Sequence, residues 1–147
     1  MTSHYIIEPE VAGGWGEQTE FTRTPGRPVV VHKLHYEFDG WLGDELLESS
    51  PCFIATERMA VALQQAQLTG FGFDNVVVSM SGQFEDLYPG RDLPKFVWLR
   101  VVGSAGKDDF GLTSDLRLVV SVRALSVLKS VGIPNADVSP FAAQGGR

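Results

Sequence analysis

The sequence predicts an α+β protein, a single domain in which a mixed, mostly antiparallel sheet of about six strands carries two main helices. Strand-like segments follow one another through the middle of the chain instead of alternating with helices, which favours α+β over a doubly wound fold. A unit of short strand, capping residue and helix occurs twice. We expect residues 1–141 to form this domain and residues 142–147 to be a disordered tail.

The composition indicates a globular protein that needs no disulfide or metal to fold. The chain has 147 residues, of which 44% are hydrophobic and 20% are charged. A chain of this length buries about two thirds of its unfolded surface. Its single cysteine, Cys52, cannot form an intramolecular disulfide. Neither a signal peptide nor a run of 18 apolar residues is present, so we expect a cytoplasmic protein without a membrane span.

The net charge of −6 limits the classes of partner. Nucleic-acid binding depends on neutralising phosphates with Lys and Arg, so we expect no nucleic-acid partner. An acidic protein is suited to a basic protein partner, because opposite fields steer association. The simpler alternative is that the charge only maintains solubility.

The first third of the chain predicts two strands separated by a long loop. Residues 5–8 predict a first strand, which ends at Pro9 because proline cannot donate to a strand ladder. Residues 12–28 contain a glycine-rich stretch, but no helical pattern follows it, so we interpret it as a flexible loop rather than a phosphate site. Residues 29–38 are β-branched and aromatic and predict a strand. Its alternation predicts that one face, directed to the core, carries His32, Leu34, Tyr36 and Phe38.

The next segment is the most acidic of the chain. The pair Leu42 and Leu46 predicts a short helix over residues 41–47, with Asp39 as its cap. Its carboxylates surround Trp41, which could anchor a partner. A solvated helix face is the alternative. The candidate partner-binding residues, including two carboxylates of a later loop, are Asp39, Trp41, Asp44, Glu45, Glu48, Asp108 and Asp109.

The repeated unit comprises residues 53–66 and residues 118–131. Each copy predicts a buried strand that runs into a helix, with Thr56 or Ser121 as the N-cap. Each copy also has an arginine, Arg58 or Arg123, in the first helical turn, where a cation opposes the helix dipole. We expect each arginine to pair with a carboxylate elsewhere and these four residues to have a structural role.

Between and after the two units the sequence predicts further extended segments. Residues 73–80 and 95–102 predict two strands, which we expect to lie side by side in antiparallel orientation. The connection over residues 81–94 is expected to be a long loop. Residues 138–141 predict a last short extended piece after Gly132 and Pro134 end the second helix.

A different interpretation is a small enzyme or ligand-binding domain. Its pocket would be lined by His32, His35, Tyr36, Asp108 and Asp109. Two histidines three apart on a regular strand point to opposite faces, so we expect no metal site. Cys52 has no basic neighbour that would activate it. We therefore expect no catalytic residue and no cofactor, and we favour a binding protein over an enzyme.

The doubled pattern Ile54-Ala55-Thr56-Glu57-Arg58 and Val119-Val120-Ser121-Val122-Arg123 resembles that of uncharacterised bacterial proteins often encoded near polymorphic toxins. The segments 41–44 and 96–99 are similar too, although this chain has Val122 where those proteins usually have Glu. Such proteins are presumed to be immunity proteins. The resemblance implies an antitoxin that occludes its cognate toxin without a cofactor, and it assigns no catalytic residue. A homo-oligomeric structural subunit is a third possibility.

Overall fold

The computed structural model describes residues 3–142, which contain twelve strands and three helices. The strands are β1 (His4–Glu8), β2 (Gly13–Trp15), β3 (Glu20–Thr22), β4 (Val30–Phe38), β5 (Leu46–Ser49), β6 (Cys52–Thr56), β7 (Phe71–Asp74), β8 (Val76–Met80), β9 (Phe96–Val101), β10 (Phe110–Leu112), β11 (Leu118–Ser121) and β12 (Asp137–Pro140). The helices are α1 (Glu57–Gln65), α2 (Gly82–Leu87) and α3 (Val122–Val131). The α+β class is confirmed, with about twice the expected number of strands.

The strands form three four-stranded sheets instead of the single sheet that we expected. The first sheet has the order β10-β11-β1-β12 and the central sheet the order β5-β6-β9-β7. In the third sheet the long strand β4 pairs with β2, β3 and β8. All strand pairings are antiparallel except that of β4 with β8, which is parallel. The expectation of mostly antiparallel pairing is therefore correct.

The central sheet lies between two hydrophobic cores. Successive side chains of a strand point to opposite faces. On β6, Phe53 and Ala55 pack in one core with α1, α3 and the first sheet, whereas Cys52 and Ile54 pack in the other with β4 and α2. All five residues of β6 are buried, as its uninterrupted apolar run predicts. Because the sheet contributes to both cores, it joins the helical side of the molecule to the third sheet.

Both predicted N-caps are present at the ends of their strands. The Thr56 hydroxyl accepts a hydrogen bond from the backbone N–H of Met59 at 3.1 Å, and that of Ser121 accepts from Ala124 at 3.0 Å. Each cap satisfies one of the N–H groups that a helix start leaves unpaired. Gly132 follows α3 with a φ of 140°, a conformation suited to glycine, and helix α3 ends there as predicted.

The glycine-rich stretch after β1 is strand, not flexible loop. Gly13 pairs with Phe38 of β4, and a side chain at Gly13 would lie 1.9 Å from the carbonyl oxygen of Glu37. Trp15 ends this strand and packs on Phe21 of β3 with 5.0 Å between ring centroids. The glycines thus permit close approach of two backbones, which composition alone does not distinguish from flexibility.

The short helix predicted over residues 41–47 is absent. Residues 40–44 are an irregular segment that leads into β5, and Asp39 caps no helix. The carboxylate of Glu10 accepts the backbone N–H groups of Leu42 and Asp44 at 2.6 and 3.2 Å. The conformation of this segment is therefore determined by Glu10, which precedes Leu42 by 32 residues. The local spacing of the leucines, from which the helix was predicted, gives no sign of this distant contact.

Helix α2, which the sequence did not predict, lies within residues 81–94, where a long loop was expected. The Ser81 hydroxyl caps α2 by accepting from Phe84, whose side chain is fully buried. The strand predicted over residues 73–80 is also divided, because β7 belongs to the central sheet and β8 to the third sheet. Only β7 pairs antiparallel with β9, so the expected neighbour relationship is correct for that half.

A register shift alters the predicted faces of β4. The partners of β4 along β3 skip His32, because Glu20 pairs with Lys33 and Phe21 with Val31. Consequently Val31 is buried and His32 is exposed, although Leu34 and the later alternate residues face the core as predicted. A bulge of this kind depends on the partner strand, which is not visible from the alternation of β4 alone.

No helix within residues 3–142 combines the length and apolar character that crossing a membrane requires. Strand β12 corresponds to the last extended piece expected from the sequence, and it pairs with β1. Most of the predicted tail, residues 143–147, lies outside the described residues.

Candidate functional site

The first copy of the repeated unit holds a cluster that we call the Glu45 clamp, made of Glu45, Thr56 and Arg58. The Glu45 carboxylate accepts the Thr56 hydroxyl at 2.7 Å and pairs with the Arg58 guanidinium. The Arg58 hydrogen bond lowers the pKa of Glu45 below its ordinary value, burial opposes the shift, and the Thr56 hydroxyl adds to it. The carboxylate is thus held ionised at the start of α1.

The second copy holds the corresponding Asp109 clamp, made of Asp109, Ser121 and Arg123. Asp109 accepts the Ser121 hydroxyl at 2.6 Å, the Arg123 guanidinium at 2.8 Å and the backbone N–H of Thr69 at 2.9 Å. Burial alone would raise the pKa of the Asp109 carboxyl, but these hydrogen bonds outweigh it and lower the pKa to about 2. Each arginine therefore has the carboxylate partner that its position in the sequence led us to expect.

The two arginines also connect the helices to each other. Arg58 donates to the carbonyl oxygen of Val131 at the end of α3, at 3.0 Å. Arg123 donates to the carbonyl oxygen of Gln67 just after α1, at 3.3 Å. Helices α1 and α3 are therefore antiparallel neighbours, and each cation lies at the negative end of the other helix. This placement explains why a cation is tolerated in the first turn of each helix.

The predicted partner-binding residues are mostly engaged within the fold, and Asp39 is the one exposed member of the seven. Asp44 is fully buried and accepts from the N–H and the side-chain amide of Asn135, at 2.8 and 2.7 Å. Asp44 therefore cannot contact a partner, and a lysine there would leave a cation buried. Glu45 and Asp109 belong to the clamps, with exposed fractions of only 15% and 12%.

Two further candidates of that set occupy intermediate positions. Trp41 is half-buried, donates its indole N–H to the carbonyl oxygen of Asp44 at 2.9 Å, and lies 4.8 Å beneath the guanidinium of Arg91. Asp108 accepts the backbone N–H of Ser104 at 2.7 Å within its own loop. Asp108 and Asp109 thus have different partners, and the two carboxylates do not act on a common group.

The residues of the alternative pocket are not joined by common polar contacts. His35 is buried and contacts Gln18 and Ser79, while the Tyr36 hydroxyl donates to the carbonyl oxygen of Glu48. None of these groups shares a hydrogen-bond partner with Asp108 or Asp109 among the described residues. Within residues 3–142 no three His, Cys, Asp or Glu side chains are grouped to hold a metal ion.

Cys52 lies in the core of the central sheet and is 4% exposed. Burial raises the pKa of its thiol to about 12, although the charge of Arg100 opposes the shift. The thiol is therefore neutral at physiological pH and lacks the character of a nucleophile.

A different surface combines apolar side chains with carboxylates. Two adjoining hollows, of about 330 and 600 Å³, share a ridge that includes Val11 and Leu42. Val11, Leu42 and Leu87 are 67%, 70% and 58% exposed, which is unusual for large apolar side chains grouped together. We call this surface the acidic face, and it is defined by Glu8, Glu10, Val11, Asp39, Trp41, Leu42, Glu48, Leu87, Tyr88 and Asp137.

The charged side chains that line the acidic face all have the same sign. Five carboxylates line the two hollows, and no Lys, Arg or His of the described chain does so. Burial, and secondarily the charge of Glu8, raise the pKa of Glu48. Burial also raises the pKa of Glu10, against the two backbone N–H groups that it accepts. The nearest cations are engaged beside the face: Arg117 pairs with Glu8, and Arg91 stacks on Trp41 and Tyr88.

Three members of this face, Asp39, Trp41 and Glu48, were predicted from the sequence, but as part of an acidic segment built on a short helix over residues 41–47. The apolar members were missed because Val11 and Leu87 lie far from Leu42 in sequence and meet it only through the fold. The available indication was that Val11, between Glu10 and Ala12, belongs to no strand or helix pattern of the sequence. No protein-family model and no curated protein matches this chain.

Proposed function

We propose that this chain is a cytosolic, non-enzymatic binding protein of the immunity type, which neutralises a cognate bacterial toxin by covering the active surface of that toxin. The acidic face is the contact surface in this proposal. It replaces the helix of acidic residues that the sequence suggested, and it retains Asp39, Trp41 and Glu48.

One observation carries the proposal. Three large apolar side chains, Val11, Leu42 and Leu87, are exposed on a surface where every charged lining residue within residues 3–142 is a carboxylate. Apolar groups at the centre of an interface supply affinity when they are desolvated, and charges around them determine which partner is accepted. The net charge of −6 extends the same field over the rest of the molecule.

The mechanism is occlusion. A toxin that acts on nucleic acid or another anionic substrate presents a basic surface, and an acidic protein with apolar anchors competes for that surface. Association is accelerated by the opposite fields, and the anchors slow dissociation. Neither step uses a cofactor or a reacting group on this chain.

A growth-rescue assay tests the proposal. The protein that co-purifies with the tagged chain from its native cells is expressed alone and then together with this chain. We expect growth inhibition in the first case and recovery in the second. Leu42→Lys together with Leu87→Lys should abolish recovery, because two cations replace the apolar anchors.

The matched control is Val61→Lys, which alters a 46% exposed apolar residue of α1 outside the acidic face. It should rescue growth as well as the unaltered chain does. A co-purifying protein that does not inhibit growth, or rescue that survives the double substitution while both chains remain folded, would contradict the proposal.

A further inference from the structure

We propose that the acidic face binds a basic amphipathic segment, which places an apolar side chain in the hollow beside Trp41 and an Arg or Lys side chain in the hollow beside Glu48. This inference rests on the proposed function, since it names the chemistry of the partner at the same surface. The two hollows, joined along one ridge, receive neighbouring side chains of a single segment.

The first hollow is suited to the apolar side chain. Leu42 and Leu87 lie among its lining residues together with the rings of Trp41 and Tyr88. Arg91 stacks over both rings at 4.8 and 5.0 Å, and its guanidinium also donates to the carbonyl oxygen of Trp41. The aromatic walls are therefore fixed before a partner arrives, which reduces the entropy lost on binding.

The second hollow is suited to the cation. The Glu48 carboxylate is half-buried, and it makes no hydrogen bond or ion pair with any side chain or N–H group of residues 3–142. Glu8, another carboxylate, lines the same hollow, and burial together with that like charge disfavours ionisation of Glu48. An incoming ammonium or guanidinium would relieve both effects and would be desolvated next to apolar Val11 and Leu42.

The same charges argue against two other occupants. A second copy of this chain would bring five more carboxylates to the face, and like charges facing each other across an interface oppose association. A nucleic acid would bring phosphates to a surface with no lining cation in the described residues. A basic amphipathic protein segment is the occupant that satisfies both the apolar and the acidic parts of the face.

A peptide titration followed by NMR of the ¹⁵N-labelled chain tests this inference. The probe is a 14-residue helical peptide with Leu along one face and Arg along the other. Its counterpart has Glu in place of every Arg. We expect the Arg peptide to shift the amide resonances of Val11, Leu42, Glu48 and Leu87, with an affinity that weakens as salt is added. The Glu peptide should cause no such shifts.

Variants separate the two parts of the face. Leu42→Lys should weaken binding of the Arg peptide by about tenfold or more, as expected for loss of a central apolar contact. Glu48→Gln should weaken it by about fivefold and should reduce its salt dependence. The matched control Glu20→Gln removes the same charge from an exposed position on β3 and should leave the affinity unchanged.

Several results would overturn the inference. They are equal binding of the Glu peptide, an equal loss of affinity in the Glu20→Gln and Glu48→Gln variants, and shifts that map outside the acidic face. Concentration-dependent shifts of the same amides without peptide would also overturn it, in favour of self-association. If the Arg peptide binds as expected but growth rescue fails, the proposed immunity role is contradicted, whereas the proposed binding chemistry of the acidic face stands. If rescue depends on the acidic face but the Arg peptide does not bind, the immunity role stands and the inference that the partner segment is basic and amphipathic is contradicted.

Discussion

The Asp109 clamp and the acidic face both remove carboxylates from bulk water, but the pKa of their carboxyl groups moves in opposite directions. In the clamp, Arg123, Ser121 and Thr69 donate to Asp109 and lower its pKa to about 2. On the face, Glu48 has burial and a neighbouring Glu8 instead, and its pKa is raised. Partial burial of a carboxylate therefore stabilises the fold only where donors meet it. Where they are missing, the site is suited to donors from another molecule.

Among the tests of this comparison, Asp109→Ala is expected to change the free energy of unfolding most. The substitution leaves the N–H of Thr69 and the hydroxyl of Ser121 without their acceptor and removes the partner of Arg123. We expect the free energy of unfolding to fall by about 2–3 kcal/mol, measured by urea denaturation. Asp86→Ala, at an exposed position of α2, is the control and should change stability little.

The pH dependence of unfolding sharpens the comparison further. The pKa of Asp109 falls from an ordinary value of 3.8 to about 2 on folding, so its contribution is complete above pH 3.8 and is lost as the pH falls towards 2. The lowered pKa of Glu45 acts with the same sign. Asp109→Asn should flatten this acid limb in denaturation measured from pH 5 to pH 2. An unchanged limb would contradict the role assigned to the clamp.

A smaller effect is expected from the arginines, because their side chains are 70% and 59% exposed. Arg58→Ala and Arg123→Ala should each lower Tm, by less than Asp109→Ala does, since water partly replaces the lost donor. Arg27→Ala, in the exposed connection before β4, serves as the control for loss of one positive charge. If both arginine variants retain the Tm of the unaltered chain, the structural role of these residues fails.

The smallest change in stability should have the opposite sign. The raised pKa of Glu48 means that its ionised form disfavours folding at neutral pH, and that this cost fades as the pH falls through the raised pKa to the ordinary one. Glu48→Gln should therefore leave the free energy of unfolding unchanged or raise it by up to about 1 kcal/mol at pH 7. The same variant should bind the Arg peptide more weakly, and a loss of stability would refute this account of the face.

The sequence predicts the parts of this molecule whose structure is determined locally. Strand β6 and helix α1 follow from a buried apolar run, a capping threonine and helical spacing, and their copy at β11 and α3 follows from the same pattern. Residues 41–47 were predicted incorrectly because Glu10, a distant residue, binds their backbone. The acidic face was missed for the same reason, since Val11, Leu42 and Leu87 come together only after β4 and α2 are in place.

The contacts that Arg58 and Arg123 make between α1 and α3 have a consequence for how the protein unfolds. Arg58 lies in the first turn of α1 and donates to the final carbonyl of α3, and Arg123 lies in the first turn of α3 and donates to the carbonyl of Gln67 just after α1. Fraying at the C-terminal end of either helix thus removes a hydrogen-bond acceptor from the arginine at the start of the other helix, so we expect the two copies of the unit to unfold together. We expect protection from amide hydrogen exchange to be similar along α1 and α3, as in one cooperative unit, although the two helices are separated in the chain by five strands.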